Sequence, residues 1–262
     1  MSIIMSMRVG AKILIIDHND SFTYNLVQLL EEAGVKTVHV IQVAAVRNCE
    51  PEDYDGVVLS PGPGLPTDYP DIFELLDACL LGSRKIPVLG ICLGLQAIVV
   101  HFGGRLYNLP EIRHGRQVWL ERGCSCPLFK DLNFPLQVGL YHSWAMDSKI
   151  HVPELLITSK CEIQRLSGRP VQSSVSQNAA ENKGEDLESN VGWYNFQDGI
   201  DSKYIAMSIR HTTLPVYGLQ FHPESFMTPS GGQIMKNWLA LLSVENKPHT
   251  GELLQQTVSK LI

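Results

Sequence analysis

The sequence contains no long apolar run and no surplus of basic residues. Its longest apolar stretches, such as Pro87–Leu93, are much shorter than the roughly 20 residues that span a bilayer. It has 21 lysines and arginines against 27 acidic residues, so it lacks the basic footprint of nucleic-acid-binding proteins. Its N-terminal residues hold neither the apolar segment nor the cleavage site of a signal peptide. We therefore expect a cytoplasmic protein with no membrane and no nucleic-acid partner.

Cysteine is too sparse and too irregularly placed for a disulfide scaffold or a zinc site. The chain has 6 cysteines in 262 residues and no secretion signal, so a disulfide framework is not expected. Cys124 and Cys126 are separated by one residue, whereas zinc half-sites usually separate their cysteines by about two to four residues. No second pair accompanies them. The sequence predicts free thiols and no metal site in this chain.

The N-terminal part of the sequence alternates short apolar runs with helical patterns. Continuous apolar runs are typical of strands that are buried on both faces of a parallel sheet. The predicted strands are 12–16, 38–43, 56–59 and 88–91, and the predicted helices are 22–33, 71–81 and 96–102. This alternation predicts an α/β fold, with a central, mostly parallel sheet flanked by helices.

The pattern changes after Gly104. Short apolar pieces separated by turn residues indicate antiparallel strands, which predict a small antiparallel sheet. Residues 167–189 are rich in Ser, Gln, Asn, Glu and Lys, and we interpret them as a polar, mobile insertion within a single domain, 1–262. The later predicted strands are 118–120, 136–141, 155–158, 204–207 and 216–221, followed by helices at 234–242 and 252–262.

The strongest local signal is the segment Gly90-Ile91-Cys92-Leu93-Gly94, which follows a buried strand and precedes a helix. It is the cysteine form of the nucleophile elbow, whose flanking glycines allow a sharp turn from strand to helix. A helix N-terminus favours the thiolate form of a cysteine, and the thiolate is the nucleophile. The alternative is a small buried cysteine in a glycine-containing turn.

A general base and its carboxylate partner are predicted near the C-terminus. His222 and Glu224 follow the strand 216–221, and residues two apart on an extended segment point to the same side. With Cys92 they can form a nucleophile–base–acid triad, which is recognised by geometry rather than by order in the chain. His18, with Asp20 two residues later, is the competing base, although Asp20 is more simply interpreted as a helix-capping residue.

The turn Ser60-Pro61-Gly62-Pro63-Gly64 follows another predicted strand. Its prolines and glycines fix the backbone without shielding the N–H groups, so it can supply one donor to an oxyanion. The amide of Leu93, directly after the predicted nucleophile, can supply the second. The turn lacks the Gly-Lys-Ser/Thr sequence of a phosphate-binding loop. The alternative is a simple tight loop.

Taken together, the motifs resemble the triad (class I) glutamine amidotransferases, above all the glutaminase subunits of anthranilate synthase and aminodeoxychorismate synthase. The resemblance covers about residues 13–242 and implies a flavodoxin-like fold. It implies that Cys92 is the nucleophile, His222 the base and Glu224 the orienting acid. The motifs that carry it are Asp17-x-Asn19-Asp20-Ser21-Phe22-Thr23-Tyr24-Asn25, Ser60–Gly64, Gly90-x-Cys92-x-Gly94-x-Gln96, His114-Gly115, Tyr141-His142-Ser143 and Phe221-His222-Pro223-Glu224-Ser225. The positions that match glutamine-binding residues of the family are Gly62, Pro63, Gly64, Leu93, Gln96, Ser143 and Trp144.

The resemblance implies a glutaminase that hydrolyses L-glutamine and passes ammonia to a chorismate-binding synthase subunit. It implies no cofactor in this chain and Mg²⁺ on the partner. The product is 4-amino-4-deoxychorismate or anthranilate, with a slight preference for the former. Two other functions share these motifs in whole or in part: a stand-alone cysteine hydrolase of γ-glutamyl compounds, and a non-catalytic regulatory subunit. Because Cys92, His222 and Glu224 are all present, the sequence argues against the regulatory subunit.

Overall fold

A computed structural model of the chain describes residues 10–162 and 204–245, without the side chains of 110–113 and 243–245. The predicted insertion at 167–189 and the predicted helix at 252–262 lie outside the described residues. The single-domain assignment for 1–262 therefore stays a prediction.

Five strands form the parallel half of the sheet, in the order β2-β1-β3-β4-β9. This is the strand order of flavodoxin-like folds, in which ligands bind outside the carboxyl ends of the strands. The strands are β1 Lys12–Asp17, β2 Thr37–Gln42, β3 Gly56–Leu59, β4 Val88–Ile91 and β9 Val216–Leu219. The mostly parallel α/β fold expected from the sequence is confirmed.

Four antiparallel strands continue the same sheet beyond β9, in the order β8-β7-β5-β6. The predicted strand at 118–120 is the end of a much longer strand, β5. Pro110 and Gly115, which has φ +66°, interrupt the alternation that marks strands in a sequence, and the pairing with β6 shifts register beside them. These strands are β5 Leu106–Arg122, β6 Leu136–Met146, β7 Leu155–Glu162 and β8 Tyr204–His211.

Four α-helices cover the sheet in the described part of the chain: α1 Thr23–Glu32, α2 Asp71–Leu81, α3 Leu93–His101 and α4 Gly231–Glu245. Helix α3 begins three residues before the predicted start at Gln96, directly after Cys92. No helix among the described residues is both long enough and apolar enough to cross a membrane.

The two faces of the sheet bury separate apolar layers, which explains the continuous apolar run of β1. Ile13 and Ile15 pack on one face with α1 and α4, whereas Leu14 and Ile16 pack on the other face with α2 and α3. Trp238 of α4 is fully buried on the first face. A strand that is buried on both sides keeps its carboxyl end fixed, and the functional motifs follow these ends.

Candidate active site

The predicted motifs meet at the carboxyl edge of the parallel strands. Leu59, Gly90 and Gly218 occupy matching positions on the three neighbouring strands β3, β4 and β9, because the pairing aligns Leu59 with Gly90 and Gly90 with Gly218. The turn that begins at Ser60, the elbow at Cys92 and the segment that leads to His222 therefore leave the sheet side by side.

Cys92 sits in a strained turn that the neighbouring glycines make possible. Its φ of 51° lies in a region that non-glycine residues rarely adopt, because adopting it costs about 1–3 kcal/mol. A Cβ at Gly90 would lie 2.4 Å from the backbone of Gly94, and a Cβ at Gly94 would lie 2.4 Å from the carbonyl oxygen of Leu59. The backbone N–H of Cys92 donates a 2.7 Å hydrogen bond to Leu219, which ties the elbow to β9.

His222 and Glu224 form a buried, directly bonded pair. Nδ1 of His222 lies 2.6 Å from Oε1 of Glu224, and the side chains are only 4% and 1% exposed. Because a carboxylate accepts, Nδ1 carries the proton in the neutral ring, and Nε2 is free to exchange a proton with another group. The pairing that the i, i+2 spacing predicts is present.

The charge environment of His222 connects it to Cys92. Burial lowers the pKa of His222, but hydrogen-bonding and charge interactions with the Cys92 thiol and with Glu224 raise it, and the net pKa lies above its ordinary value. Nε2 is buried and, within the described residues, has no partner at ordinary hydrogen-bond geometry. Since Glu224 occupies the other ring nitrogen, we assign the interaction with Cys92 to Nε2. A raised pKa favours the imidazolium that a nearby thiolate requires.

The competing base, His18, occupies a different position. Its Nδ1 lies 3.1 Å from the carbonyl oxygen of Ser60, and its ring packs edge-on against Tyr69 at 5.2 Å. Burial lowers the pKa of His18 to about 4, so its ring is neutral. Asp20 accepts a 2.9 Å hydrogen bond from the N–H of Phe22 and shapes the turn before α1. The geometry favours His222 over His18 as the base.

The turn at 60–64 lies against the residue that follows Cys92. A Cβ at Gly62 would lie 3.2 Å from a side-chain carbon of Leu93 and 2.5 Å from Cβ of His18. Gly64 has φ +79°, and the hydroxyl of Tyr69 donates a 2.9 Å hydrogen bond to the carbonyl of Pro63. The structure thus brings both predicted oxyanion elements to the same side of the elbow.

Gln96 connects α3 to β6, the strand that carries two more of the predicted glutamine-binding residues. Its Nε2 donates a 3.0 Å hydrogen bond to the carbonyl of Trp144, and its side chain is almost fully buried. Ser143 and Trp144 are half-buried at this end of β6. All the predicted site residues therefore lie on elements that converge at the elbow.

Comparison with known proteins decides the family. The family Glutamine amidotransferase class-I matches residues 14–169 and 164–242, which is most of the chain. The chain belongs to this family.

Individual relatives agree with this assignment. Anthranilate synthase component 2 of Lactococcus lactis is 33% identical, over 92% of this chain and 99% of its own length. Aminodeoxychorismate synthase of Streptomyces griseus is 34% identical over 91% of this chain but only 27% of its own length. A crystal structure of a glutamine amidotransferase from Thermotoga maritima superposes with a TM-score of 0.57 at 16% identity, covering 89% of this chain and 96% of that one.

Two residues of this glutamine amidotransferase site were missed by sequence reasoning. Gln220 is fully buried, and its Nε2 lies 3.6 Å from Sγ of Cys92. Thr228 holds the backbone of His222 through a 2.6 Å hydrogen bond. Gln220 lies beside Cys92 because Ile91 pairs with Leu219, so the residues that follow them are adjacent, and this pairing is seen only in the folded structure. No sequence signal distinguishes Thr228 from an ordinary loop threonine.

Within the described residues there is no group of three or more His, Cys, Asp and Glu side chains that could hold a metal ion. All six cysteines lie within the described residues, and none of them forms a disulfide.

Proposed function

We propose that this glutamine amidotransferase is a glutaminase subunit that hydrolyses L-glutamine and passes the ammonia to a chorismate-using synthase. The observation that carries the proposal is the linked geometry of Cys92, His222 and Glu224. A cysteine held in a strained elbow interacts with a histidine whose other ring nitrogen bonds a buried carboxylate at 2.6 Å. This arrangement fits the nucleophile, base and orienting acid of acyl transfer.

The first step forms a thioester and releases ammonia. The Cys92 thiolate attacks the side-chain amide carbon of glutamine, and His222 gives its proton to the departing nitrogen. Glu224 keeps Nε2 facing the reacting atoms and stabilises the imidazolium. We propose that Gln96, Ser143 and Trp144, on the α3 and β6 side of the elbow, hold the α-amino and α-carboxyl end of the substrate.

Oxyanion stabilisation is assigned to two backbone elements. The N–H of Leu93 opens α3, and the turn formed by Gly62, Pro63 and Gly64 lies against Leu93. A donor aimed at the developing oxyanion is worth on the order of 3 kcal/mol of barrier reduction. Water then attacks the thioester with His222 as general base, which releases glutamate and restores the Cys92 thiolate.

The names of the relatives support a chorismate-using acceptor. One relative is component 2 of an anthranilate synthase. Another is an aminodeoxychorismate synthase, and the match covers about a quarter of that relative's length. The partner is therefore proposed to bind chorismate, with any Mg²⁺ on its side. The product is either anthranilate or 4-amino-4-deoxychorismate. Co-purification from the native host, followed by product analysis, decides between them.

The variant Cys92→Ser tests the proposal. It should lose glutamine-dependent synthesis by several orders of magnitude, because removing the nucleophile of a triad has effects of that size. Synthesis from added ammonium salt by the complex should be retained. Glutaminase activity within about tenfold of the unsubstituted chain would contradict the triad. Full turnover of γ-glutamyl compounds without any partner would favour a stand-alone hydrolase, and an inert wild-type complex would favour a regulatory subunit.

A further inference from the structure

A buried amide contacts the thiol of Cys92 from the side of β9. Gln220 has 0% exposure, and its Nε2 donates to Sγ of Cys92 over 3.6 Å. The contact follows from strand register: Cys92 and Gln220 are the residues after the paired positions Ile91 and Leu219. A main-chain hydrogen bond of 2.9 Å from Gln220 to Met207 fixes the residue on β8 as well.

The orientation of the Gln220 amide is set by a second glutamine. Nε2 of Gln96 lies 3.5 Å from Oε1 of Gln220, and it also donates to the carbonyl of Trp144 over 3.0 Å. Since an amide oxygen only accepts, this contact leaves the N–H₂ group of Gln220 directed at sulfur. The two amides form a chain from the backbone of Trp144 through Gln96 and Gln220 to Cys92.

We propose that Gln220 is a further catalytic residue: its amide N–H stabilises the Cys92 thiolate and links it to the substrate-binding strand β6. The inference rests on the proposed function, because it takes Cys92 as the nucleophile. Gln220 differs from His222 in that its proton is never transferred. It therefore supports the thiolate both before attack and when water expels it from the thioester.

The physical need for such a donor comes from burial. Cys92 is 7% exposed, so water is largely excluded from the sulfur. A buried charged group is costly unless it is paired and hydrogen-bonded, and hydrogen bonds to ionised groups are about twice as strong as neutral ones. The histidine supplies one charge-assisted partner. Gln220 supplies a neutral one that stays in place while His222 gives up its proton.

The first test measures how fast iodoacetamide alkylates Cys92, by peptide mass spectrometry, across pH in the full chain. Gln220→Met keeps the length of the side chain and removes the donor. We expect alkylation of Cys92 at neutral pH to fall about tenfold, because the thiolate is the reactive form and it loses a hydrogen-bond donor. The glutaminase kcat should fall more than KM changes. The matched control is Gln28→Met on the exposed face of α1, where only a contact to Glu32 is lost.

A second measurement needs no substitution at Gln220. In the wild-type chain, one side-chain amide signal in a nitrogen–proton NMR spectrum should titrate together with Cys92 alkylation, and it should stop titrating in Cys92→Ser. If Gln220→Met folds but keeps the wild-type alkylation profile, the inference is wrong while the proposed function stands. The inference is also wrong if Gln220→Met does not fold and no amide signal titrates in the wild-type chain. If Cys92 is unreactive in the wild-type chain across the pH range, the proposed function itself fails.

Discussion

The hydroxyl of Thr228 donates a 2.6 Å hydrogen bond to the main-chain carbonyl of His222. The same hydroxyl accepts a 3.0 Å bond from the N–H of Gly139 on β6, and the N–H of His222 donates to the carbonyl of Gly139 over 3.2 Å. This closed set of bonds ties the segment that carries the base to the strand that carries Ser143 and Trp144. The proposed base and the proposed substrate-binding residues therefore share one set of backbone hydrogen bonds.

Replacing Thr228 with valine should weaken both the fold and the reaction. Thr228→Val keeps the shape but leaves the N–H of Gly139 without its acceptor, and it leaves the carbonyl of His222 with only a 3.3 Å bond from the N–H of Ser225. This is expected to lower the free energy of unfolding by about 2 kcal/mol. A displacement of His222 by about 1 Å is expected to reduce glutaminase kcat by up to a hundredfold. Urea unfolding and glutamate release measure the two effects. Thr228→Ser retains the hydroxyl and should restore most of both, so equal losses in the two variants would contradict this role.

Much of the fold could be predicted from the sequence, because parallel strands that are buried on both faces appear as continuous apolar runs. The run at 12–16 and the short run at 88–91 each predicted a strand to within one residue at either end. The elbow could also be predicted from the sequence. A Cβ at Gly90 or Gly94 would come within 2.4 Å of backbone atoms, so both positions require glycine and their spacing is fixed.

The remaining features depend on contacts between segments that are distant in the chain. The antiparallel strands continue the sheet beyond β9 because β8 pairs with β9. No local sequence pattern predicts this pairing. The choice between His18 and His222 depended on which histidine reaches Cys92 and which is held by Ser60. Gln220 and Thr228 have polar side chains with no repeating pattern, so only the packed structure identifies them.

A methyl group at Gly62 should disrupt the predicted oxyanion site without unfolding the chain. In Gly62→Ala the new Cβ would meet Cβ of His18 at 2.5 Å and the carbonyl oxygen of His18 at 2.7 Å, so the turn must move away from Leu93. We expect kcat for glutamine hydrolysis to fall about 100- to 1000-fold, the usual effect of losing one oxyanion donor. Steady-state kinetics of glutamate release provide the measurement.

The matched control for this variant is Gly232→Ala in the first turn of α4. A Cβ there meets only a side-chain carbon of Leu29 at 4.0 Å, and alanine favours helix more than glycine does. Gly232→Ala should keep wild-type kinetics and equal or higher stability. A Gly62→Ala enzyme as active as this control would show that the turn takes no part in the reaction.

His18 should make the protein less stable in mild acid. Its folded-state pKa of about 4 lies below the ordinary value of 6.5, because burial disfavours the charged ring. The unfolded chain therefore binds a proton first as the pH falls, and stability is lost progressively between about pH 6.5 and pH 4. From pH 7 to pH 5 this single group should lower the free energy of unfolding by about 2 kcal/mol.

Comparison of the wild-type chain with His18→Asn isolates that contribution. Asparagine does not titrate, and its amide can donate to the carbonyl of Ser60 in place of Nδ1, which bonds there at 3.1 Å. Urea unfolding at pH 7 and pH 5 should show a smaller acid loss for the variant, by about 2 kcal/mol. If the two proteins lose the same stability, His18 does not have the lowered pKa.

Several aromatic side chains on the segments around the proposed catalytic pair are exposed, and they indicate how a synthase controls it. Phe226, two residues after Glu224, is 91% exposed, and Tyr24 is 72% exposed. Phe22 packs against Tyr141 at 6.0 Å between ring centres, and Tyr141 packs edge-on against His222 at 4.9 Å. A partner that packs against Phe22 would reach the proposed base through Tyr141, and small displacements of a base have large effects on rate.

The isolated chain should therefore be a slow glutaminase that its synthase activates. Ammonia made without an acceptor would be lost, and we expect docking against the exposed Phe226 to provide the coupling. Glutamate release is measured for the chain alone, then with the co-purified synthase and chorismate. Phe226→Ala should leave the basal rate unchanged and reduce the activated rate, whereas Leu81→Ala, at an exposed position on α2, should change neither. A rate that is already high alone and unaffected by the partner would contradict this coupling and favour a free γ-glutamyl hydrolase. Activation that is equal in the wild-type chain and in Phe226→Ala would place the docking surface elsewhere.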